Sequence, residues 1–368
     1  MNIDRLLKTV KLVKSDEKQR TAYPASSGVQ LGSMFKNLVR KFFSIFGVAL
    51  IKDTSLKKYY SIESGMEFNA EFARNFINER ARVDKIYSMV ADDASKLSLD
   101  RYLSYRFALP LLYDKIKYFS YVLDTDYLLE KYSGDSGEWV PSLHGAGKTI
   151  TDIVIVQTFV AKQYEFDNAT LVSSGDTVLD CGCFLGETAM YFARLCGNSG
   201  KVYTFEPDSD YFKSANENIK RNGFDNIISV VNAATIAQTG ETDYSPCYKD
   251  KADRKIPATT IDNFCLKNCI NVDVIKMDIE GAELDALIGA RDTIRRDKPV
   301  LMISAYHKPD DIFALPEFIN LLDCGYEIYL ALPGFPWVAD LLMSFPEGTN
   351  EGYGPIFSDS RADRALVC

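Results

Sequence analysis

The spacing of apolar positions changes near residue 150, and this change predicts two different parts of the chain. Before it, apolar residues recur every three or four positions with basic residues between them, which is the spacing of amphipathic helices. The Gly- and Ser-rich stretch 133–147 predicts a boundary. We therefore expect a mainly helical region over residues 1–149, with a basic arm and linker at 1–33 and helices at 34–51, 67–90, 97–103 and 113–132.

From residue 150 onward, short β-branched or apolar runs alternate with helical stretches. Continuous apolar strands separated by helices are typical of a parallel sheet covered on both faces, and right-handed crossovers make such a sheet doubly wound. Residues 150–368 are therefore predicted to form one α/β domain, whose last two strands pair antiparallel across a long connection at 333–363. The predicted strands are Thr177–Cys181, Lys201–Phe205, Ile227–Val231, Val272–Met277, Pro299–Ser304, Tyr326–Leu330 and Arg364–Cys368.

The charge of the chain is unevenly distributed. The net charge is −9, of which residues 1–60 carry +8 and the remainder −17. An acidic body argues against a nucleic-acid-binding protein, whose affinity rests on neutralising phosphates. The basic N-terminal helices have three interpretations: peripheral contact of 34–51 with an anionic membrane, a contact between copies of the chain in a homo-oligomer, or a helical layer packed on the acidic body. We favour the last.

The N-terminal region shows no sign of membrane insertion or export. Its longest apolar stretch, Phe42 to Ile51, has ten residues, whereas a transmembrane helix needs about 20. No apolar segment with a small-residue cleavage site follows the N-terminus, so we expect no transmembrane segment and a cytoplasmic location. The eight cysteines lack paired C-x-x-C spacing and are predicted to be free, mostly buried thiols.

The first predicted strand of the α/β domain ends in a ligand-binding type of turn. Asp180 is followed by Gly182 and Gly186, which permit a tight turn and close approach of the backbone to a ligand. A dinucleotide fingerprint would also require glycines at the positions of Phe184 and Glu187. A carboxylate beside a glycine turn instead suits a positively charged ligand, such as the methionine end of S-adenosylmethionine. The alternative is an ordinary strand-to-helix turn.

The second and third predicted strands supply further polar residues at the same edge. Glu206 ends the second strand 26 residues after Asp180, near the offset at which an acidic residue binds ribose hydroxyls. Alternatively, Glu206 favours the start of the following helix through the helix dipole. Asn232, just past the third strand, is expected to contact the adenine or ribose edge of the ligand.

The fourth predicted strand ends in three acidic residues, Asp278, Glu280 and Glu283. Acidic residues in a first helical turn are ordinary dipole partners, and this interpretation fits Glu283 well. It fits Asp278 less well, because a carboxylate that ends a buried strand must be solvated by a ligand, a metal or a cation. Lys276 is one candidate partner.

Taken together, these motifs resemble the FkbM family of S-adenosylmethionine-dependent methyltransferases. The resemblance implies a class I methyltransferase (Rossmann-like) fold, S-adenosylmethionine as cofactor and O-methylation of sugar, glycan or natural-product hydroxyls. It departs from the family at Cys183, where a small Ala or Gly is more usual. The matching residues are Asp180-x-Gly182 with Gly186, Phe205-Glu206-Pro207, Thr260-Ile261-Asp262, the block from Ile275 to Glu283, Gly289-Ala290 and Pro299.

Methyl transfer to a hydroxyl benefits from a general base. His307 follows the fifth predicted strand and is one of only two histidines, so it is the first candidate, with Asp278 or Glu280 as competing bases. A third hypothesis is that Asp278, Glu280 and His307 hold a divalent metal such as Mg²⁺, which would acidify the acceptor hydroxyl. The sequence leaves these alternatives open.

The other histidine, His144, lies in a Gly-rich stretch that ends in Gly147-Lys148-Thr149. A phosphate-binding loop would need glycine at Ser142 and a strand before it, so we predict a turn here. The sequence therefore favours an S-adenosylmethionine-dependent O-methyltransferase. The alternatives are a catalytically silent Rossmann-like scaffold that binds partners and, third, an NAD-dependent sugar-modifying enzyme.

Overall fold

The computed structural model describes residues 80–100, 102–103, 139–160, 162–166, 169–244, 254–331 and 341–346. The predictions for the basic arm, for 34–51 and for the helix at 113–132 lie outside these residues. Within the described ranges, none of the helices has the length and apolarity required to cross a bilayer.

Helices and strands alternate along the described part of the α/β domain, as the spacing of apolar runs predicted. The helices are α1 Arg80–Met89, α2 Lys148–Ile155, α3 Glu187–Cys196, α4 Ser209–Arg221, α5 Ile261–Asn268, α6 Glu283–Ile288, α7 Arg291–Asp297 and α8 Asp311–Leu321, and a π-helical turn, Val156–Val160, follows α2. The strands are β1 Glu165–Phe166, β2 Ala169–Thr170, β3 Thr177–Cys181, β4 Lys201–Phe205, β5 Ile228–Val231, β6 Ala234–Thr235, β7 Gly240–Tyr244, β8 Arg254–Thr259, β9 Val274–Met277, β10 Val300–Ser304, β11 Tyr326–Ala331 and β12 Leu341–Pro346.

Seven of these strands form one sheet in the order β11-β12-β10-β9-β3-β4-β5. Its neighbouring strands are parallel except where β12 pairs antiparallel with both β10 and β11. The doubly wound sheet with an antiparallel last strand is thereby confirmed. The position predicted for that strand is corrected, because the partner of β11 is β12 at 341–346, inside the segment expected to be a connection. Arg364–Cys368 lies outside the described residues.

Both faces of the sheet are buried, which explains the continuous apolar runs. Successive residues of a strand point to opposite faces, and accordingly Val178 and Leu179 join separate hydrophobic cores. The core on the Leu179 side includes Val83 and Ile86 of α1, so part of the N-terminal helical region packs directly on the α/β domain. A division of the chain at residues 149 and 150 stays a prediction.

Two features were not predicted from the pattern. Strands β6, β8 and β7 form a separate three-stranded sheet, whose members are short or strongly polar and therefore lack the apolar runs of the main sheet. In addition, the stretch that follows residue 138 docks on α4, where the side-chain amide of Asn218 bonds the backbone of His144. The turn predicted around His144 is thus held against the α/β domain. The described cysteines are free and mostly buried, as predicted.

Candidate functional site

The loop after β3 lies at the centre of the carboxyl edge of the sheet. Gly182 has φ +83°, and a Cβ atom at this position would overlap the backbone carbonyl oxygen of Asp278. Its N–H donates to the carbonyl of Phe205 at 2.9 Å. Glycine therefore lets the loops after β3, β4 and β9 touch each other through their backbones.

Gly186 ends the same loop and caps α3. Its φ is +89°, and a Cβ here would come within 3.3 Å of the side chain of Ile219 on α4. The side-chain amide of Asn218, also on α4, donates to the carbonyl of Leu185 at 3.0 Å. Helix α4 thus fixes one side of the loop that was predicted to hold the cofactor.

Asp180 is fully buried, and its carboxylate is engaged inside the protein. The ammonium of Lys276 lies 3.0 Å from Oδ1, while the hydroxyls of Thr188 and Thr204 donate to Oδ2 at 2.8 and 2.9 Å. The positively charged group next to Asp180 is therefore that of Lys276. A direct contact between Asp180 and a cofactor stays a prediction.

Lys276 was considered as a partner for Asp278, but the structure pairs it with Asp180. The reason is the strand register, because Asp180 and Lys276 are opposite each other on the parallel strands β3 and β9. Lys276 also donates to the backbone carbonyls of Cys181 and Gly182, and its ammonium lies 5.8 Å from the centre of the Tyr164 ring. This buried cation therefore connects the loop after β3 to β9, the strand that precedes Asp278.

Glu206 lies at the end of β4, next to the loop of Gly182. Its carboxylate accepts hydrogen bonds from the backbone N–H groups of Phe184 at 3.0 Å and Asp208 at 2.8 Å. Burial raises the pKa of Glu206 to about 7. The helix start proposed as its alternative role is occupied by Asp208, which caps α4 by accepting from two backbone N–H groups. The ribose-binding role of Glu206 stays a prediction.

Asn232 supports the same turn from the end of β5. Its side-chain amide donates to the backbone carbonyl of Glu206 at 2.8 Å and to that of Pro207 at 3.3 Å. The residue thus holds the loop that carries the Glu206 carboxylate. A contact between Asn232 and a bound adenine or ribose stays a prediction.

The predicted catalytic residues meet in one cluster at the ends of β9 and β10. Nε2 of His307 lies 3.4 Å from Oδ1 of Asp278 and 3.6 Å from Oε2 of Glu280. Nδ1 of the same ring lies 2.7 Å from Oε1 of Glu283. Tyr306 donates its hydroxyl to Asp278 at 3.1 Å. The imidazole is therefore surrounded by three carboxylates.

This arrangement decides the charge of the ring. Burial disfavours an imidazolium, but the hydrogen bond that Nδ1–H donates to Glu283 and the charges of the three carboxylates outweigh burial and raise the pKa of His307 to about 9. Since both ring nitrogens face carboxylates, each carries a proton near neutral pH. The ring is then a donor on both sides.

The backbone after β9 is bent to bring Glu280 into this cluster. Glu280 has φ +56° and the following Gly281 has φ +96°. A left-handed conformation at a non-glycine residue costs energy, and such residues concentrate at functional sites. The turn brings the carboxylate of Glu280 close to the Nε2 side of His307, whereas Glu283, the first residue of α6, lies on the Nδ1 side.

Glu283 is a candidate site residue that the sequence interpretation missed. It was assigned to the helix dipole, yet its side chain is fully buried, and it accepts from the backbone N–H of Ile279 at 2.9 Å as well as facing His307. A buried carboxylate needs such partners. A signal was present in the sequence, because Glu283 belongs to the motif block that ends the fourth predicted strand.

Comparison with known proteins identifies a methyltransferase domain in this region. Residues 180–328 match the family model described as the methyltransferase FkbM domain. A protein-L-isoaspartate O-methyltransferase from Methanococcus vannielii is 29% identical over 113 residues, covering 31% of this chain and 51% of that protein. The chain therefore spans about half the length of the curated relative that it matches.

A solved structure supports the same fold. The crystal structure of methyltransferase FkbM from Methylobacillus flagellatus superposes with a TM-score of 0.50 at 23% identity, covering 76% of this chain and 60% of that chain. The predicted class I methyltransferase fold is confirmed by this similarity and by the strand order of the main sheet.

Proposed function

We propose that this chain, whose residues 180–328 match the methyltransferase FkbM domain, transfers the methyl group of S-adenosylmethionine to a hydroxyl group of a sugar, glycan or natural-product acceptor. The observation that carries the proposal is the meeting of the glycine loop, Glu206 and the His307 cluster at one edge of the sheet. In an open α/β sheet this edge is where ligands bind.

The cofactor supplies a methyl group already activated by a sulfonium. The residues that would hold it are Gly182 and Gly186, through the backbone of the loop after β3, and Glu206 with Asn232 at the ribose end. Two observations fit this role. A Cβ atom at Gly182 would overlap the carbonyl oxygen of Asp278, so only glycine lets the loop lie this close to the end of β9. The Glu206 carboxylate, with a pKa raised to about 7, is a strong acceptor for ribose hydroxyls once ionised.

His307 is the proposed general base. The acceptor hydroxyl must lose a proton as its oxygen attacks the methyl carbon, and an imidazole that has lost its Nε2 proton can accept it. Glu283 holds Nδ1–H and thereby aims Nε2 toward Asp278 and Glu280. A pKa of about 9 means that the base form increases as pH rises toward 9. Asp278 and Glu280 remain the competing bases of this proposal.

The described residues fit a resident Mg²⁺ less well than they fit a general base. Ligand atoms of Asp278, Glu283 and His307 lie within 4.8 Å of one another, which is close enough for a metal site. However, the closest of these contacts joins Glu283 to Nδ1 of an imidazole whose other nitrogen also faces carboxylates. A metal ion on this ring would have to displace a proton that a neighbouring carboxylate holds in place. We therefore route no step through a metal, and expect activity to persist in EDTA.

Calorimetry with S-adenosylmethionine, its demethylated product and NAD tests the cofactor. Both adenosyl compounds should bind and NAD should not; a folded protein that binds neither adenosyl compound at millimolar concentration contradicts the proposal and leaves a silent scaffold. A screen of glycan and small hydroxyl acceptors with methyl-labelled cofactor then tests the reaction. Label transferred to nitrogen or to a carboxylate would contradict hydroxyl methylation.

A further inference from the structure

We propose that Arg82, on helix α1, is a positioning residue that holds the loop carrying His307. Helix α1 lies outside the residues that match the methyltransferase domain model. The inference rests on the proposed role of His307. It connects the predicted helix at 67–90, to which the sequence assigned no role, to the loop that carries His307.

The loop 305–310 has an internal and an external attachment. Inside, Tyr306 donates to Asp278, and His307 contacts Glu283. Outside, the Arg82 guanidinium donates two hydrogen bonds to Asp310, from Nη1 to Oδ1 at 2.6 Å and from Nη2 to Oδ2 at 3.3 Å. Asp310 is only three residues beyond His307, so this bidentate contact limits how far the loop can shift.

The same guanidinium also anchors itself to helix α8. It donates to both carboxylate oxygens of Glu317, at 2.9 and 3.4 Å, and it lies over the ring of Phe313 with Cζ 5.1 Å from the ring centre. The planar fork of arginine suits two carboxylates at once, which a lysine cannot imitate. Arg82 therefore contacts the loop and helix α8 through two separate carboxylates.

The contacts of Arg82 provide a matched control. Asp310 lies in the loop, whereas Glu317 lies two turns along α8 and also pairs with Lys85 at 3.3 Å. Replacing either carboxylate removes one arginine partner, but only the replacement of Asp310 releases the loop. D310N removes the contact that reaches the loop, whereas E317Q removes the Arg82 and Lys85 ion pairs of α8 and leaves Asp310 its guanidinium partner.

The first measurement is solvent exchange of the His307 Nδ1 proton, by ¹⁵N NMR on the full chain without cofactor or acceptor. R82M and D310N should both accelerate exchange about fivefold, which corresponds to the loss of one partly exposed ion pair. E317Q and K85M should stay near wild type. R82M and D310N change the local charge in opposite directions, so an effect in the same direction indicates positioning and opposite effects would overturn it.

The second measurement is turnover with an acceptor found in the screen. R82M and D310N should lower kcat about fivefold without changing the KM for the cofactor. If R82M does not fold, R82K keeps the charge without the fork and takes its place. Wild-type exchange in both R82M and D310N, or equal effects of E317Q, would overturn the proposal. Because exchange is measured without substrates, its result is independent of whether hydroxyl methylation is correct.

Discussion

The charge of His307 offers the sharpest test of the site. In the structure Glu283 is fully buried and lies 2.7 Å from Nδ1. The pKa of His307 rises from 6.5 to about 9, although burial alone would lower it. At 1.36 kcal/mol per pKa unit, this shift corresponds to about 3 kcal/mol of preference for the imidazolium. Replacing Glu283 by Gln removes the nearest negative charge, so the pKa of His307 should fall by about two units.

Proton–carbon NMR of the imidazole rings measures this pKa directly. The chain has only two histidines, and His144 is exposed on the surface, so its signal serves as an internal reference. A titration from pH 5 to 10 should place the His307 midpoint near 9 in the wild type and near or below 7 in E283Q. A wild-type midpoint near the ordinary value of 6.5, or an unchanged midpoint in E283Q, would refute the reasoning.

The same coupling has a consequence for stability. Because the folded pKa of His307 lies above the unfolded value, the stabilisation is fully present below pH 6.5 and is lost as pH rises through about 9. The difference in unfolding free energy between wild type and E283Q should therefore be larger at pH 6 than at pH 10. Urea denaturation at both pH values measures it.

Three further predictions concern Gly182 in the loop after β3 and two residues beside this loop, Glu206 and Lys276. Cofactor affinity should increase as pH rises through about 7, because ribose hydroxyls bind the ionised Glu206 carboxylate, and calorimetry of E206Q should show this dependence lost. G182A should abolish cofactor binding, measured by calorimetry, because its Cβ overlaps the carbonyl of Asp278. K276M should lower the unfolding free energy by about 3–5 kcal/mol, measured by urea denaturation, because Asp180 would stay buried without its cation.

Each of these predictions has a control. Asn replaces the charge of Asp180 at nearly the same size, so the double variant K276M/D180N should recover part of the stability lost in K276M; no recovery would contradict the ion-pair argument. Gly223 also has positive φ, but a Cβ there would meet open space, so G223A separates backbone strain from the overlap at Gly182. Equal cofactor affinity of E206Q and wild type at every pH would remove Glu206 from the ribose site.

Much of the fold was predictable because the main sheet is buried on both faces. Continuous apolar runs such as the first four residues of Val300–Ser304 mark such strands, and the polar residues that follow them then collect at one edge. This reasoning brought Asp278 and His307 together correctly. It failed for β12, because Leu341–Pro346 was assigned to the connection 333–363 and Arg364–Cys368 was predicted to be the last strand.

The partners inside the site were less predictable, because they depend on register and burial. Lys276 pairs with Asp180 only because β3 and β9 align these residues. Glu283 has the same sequence signature as an ordinary first-turn acidic residue, and only its complete burial beside His307 separates the two roles. The Arg82–Asp310 contact joins residues 228 positions apart, beyond the reach of any local pattern.

The insertion of β12 affects how the candidate site of this protein can be altered. Strand β10, which leads into His307, is hydrogen-bonded on both sides, to β9 and to β12. A slip of one residue would break two ladders and turn the buried side chains to the wrong faces. Insertions or deletions within 300–304 should therefore prevent folding. If the loop 305–310 were transferred to another protein scaffold, β12 would have to be transferred as well.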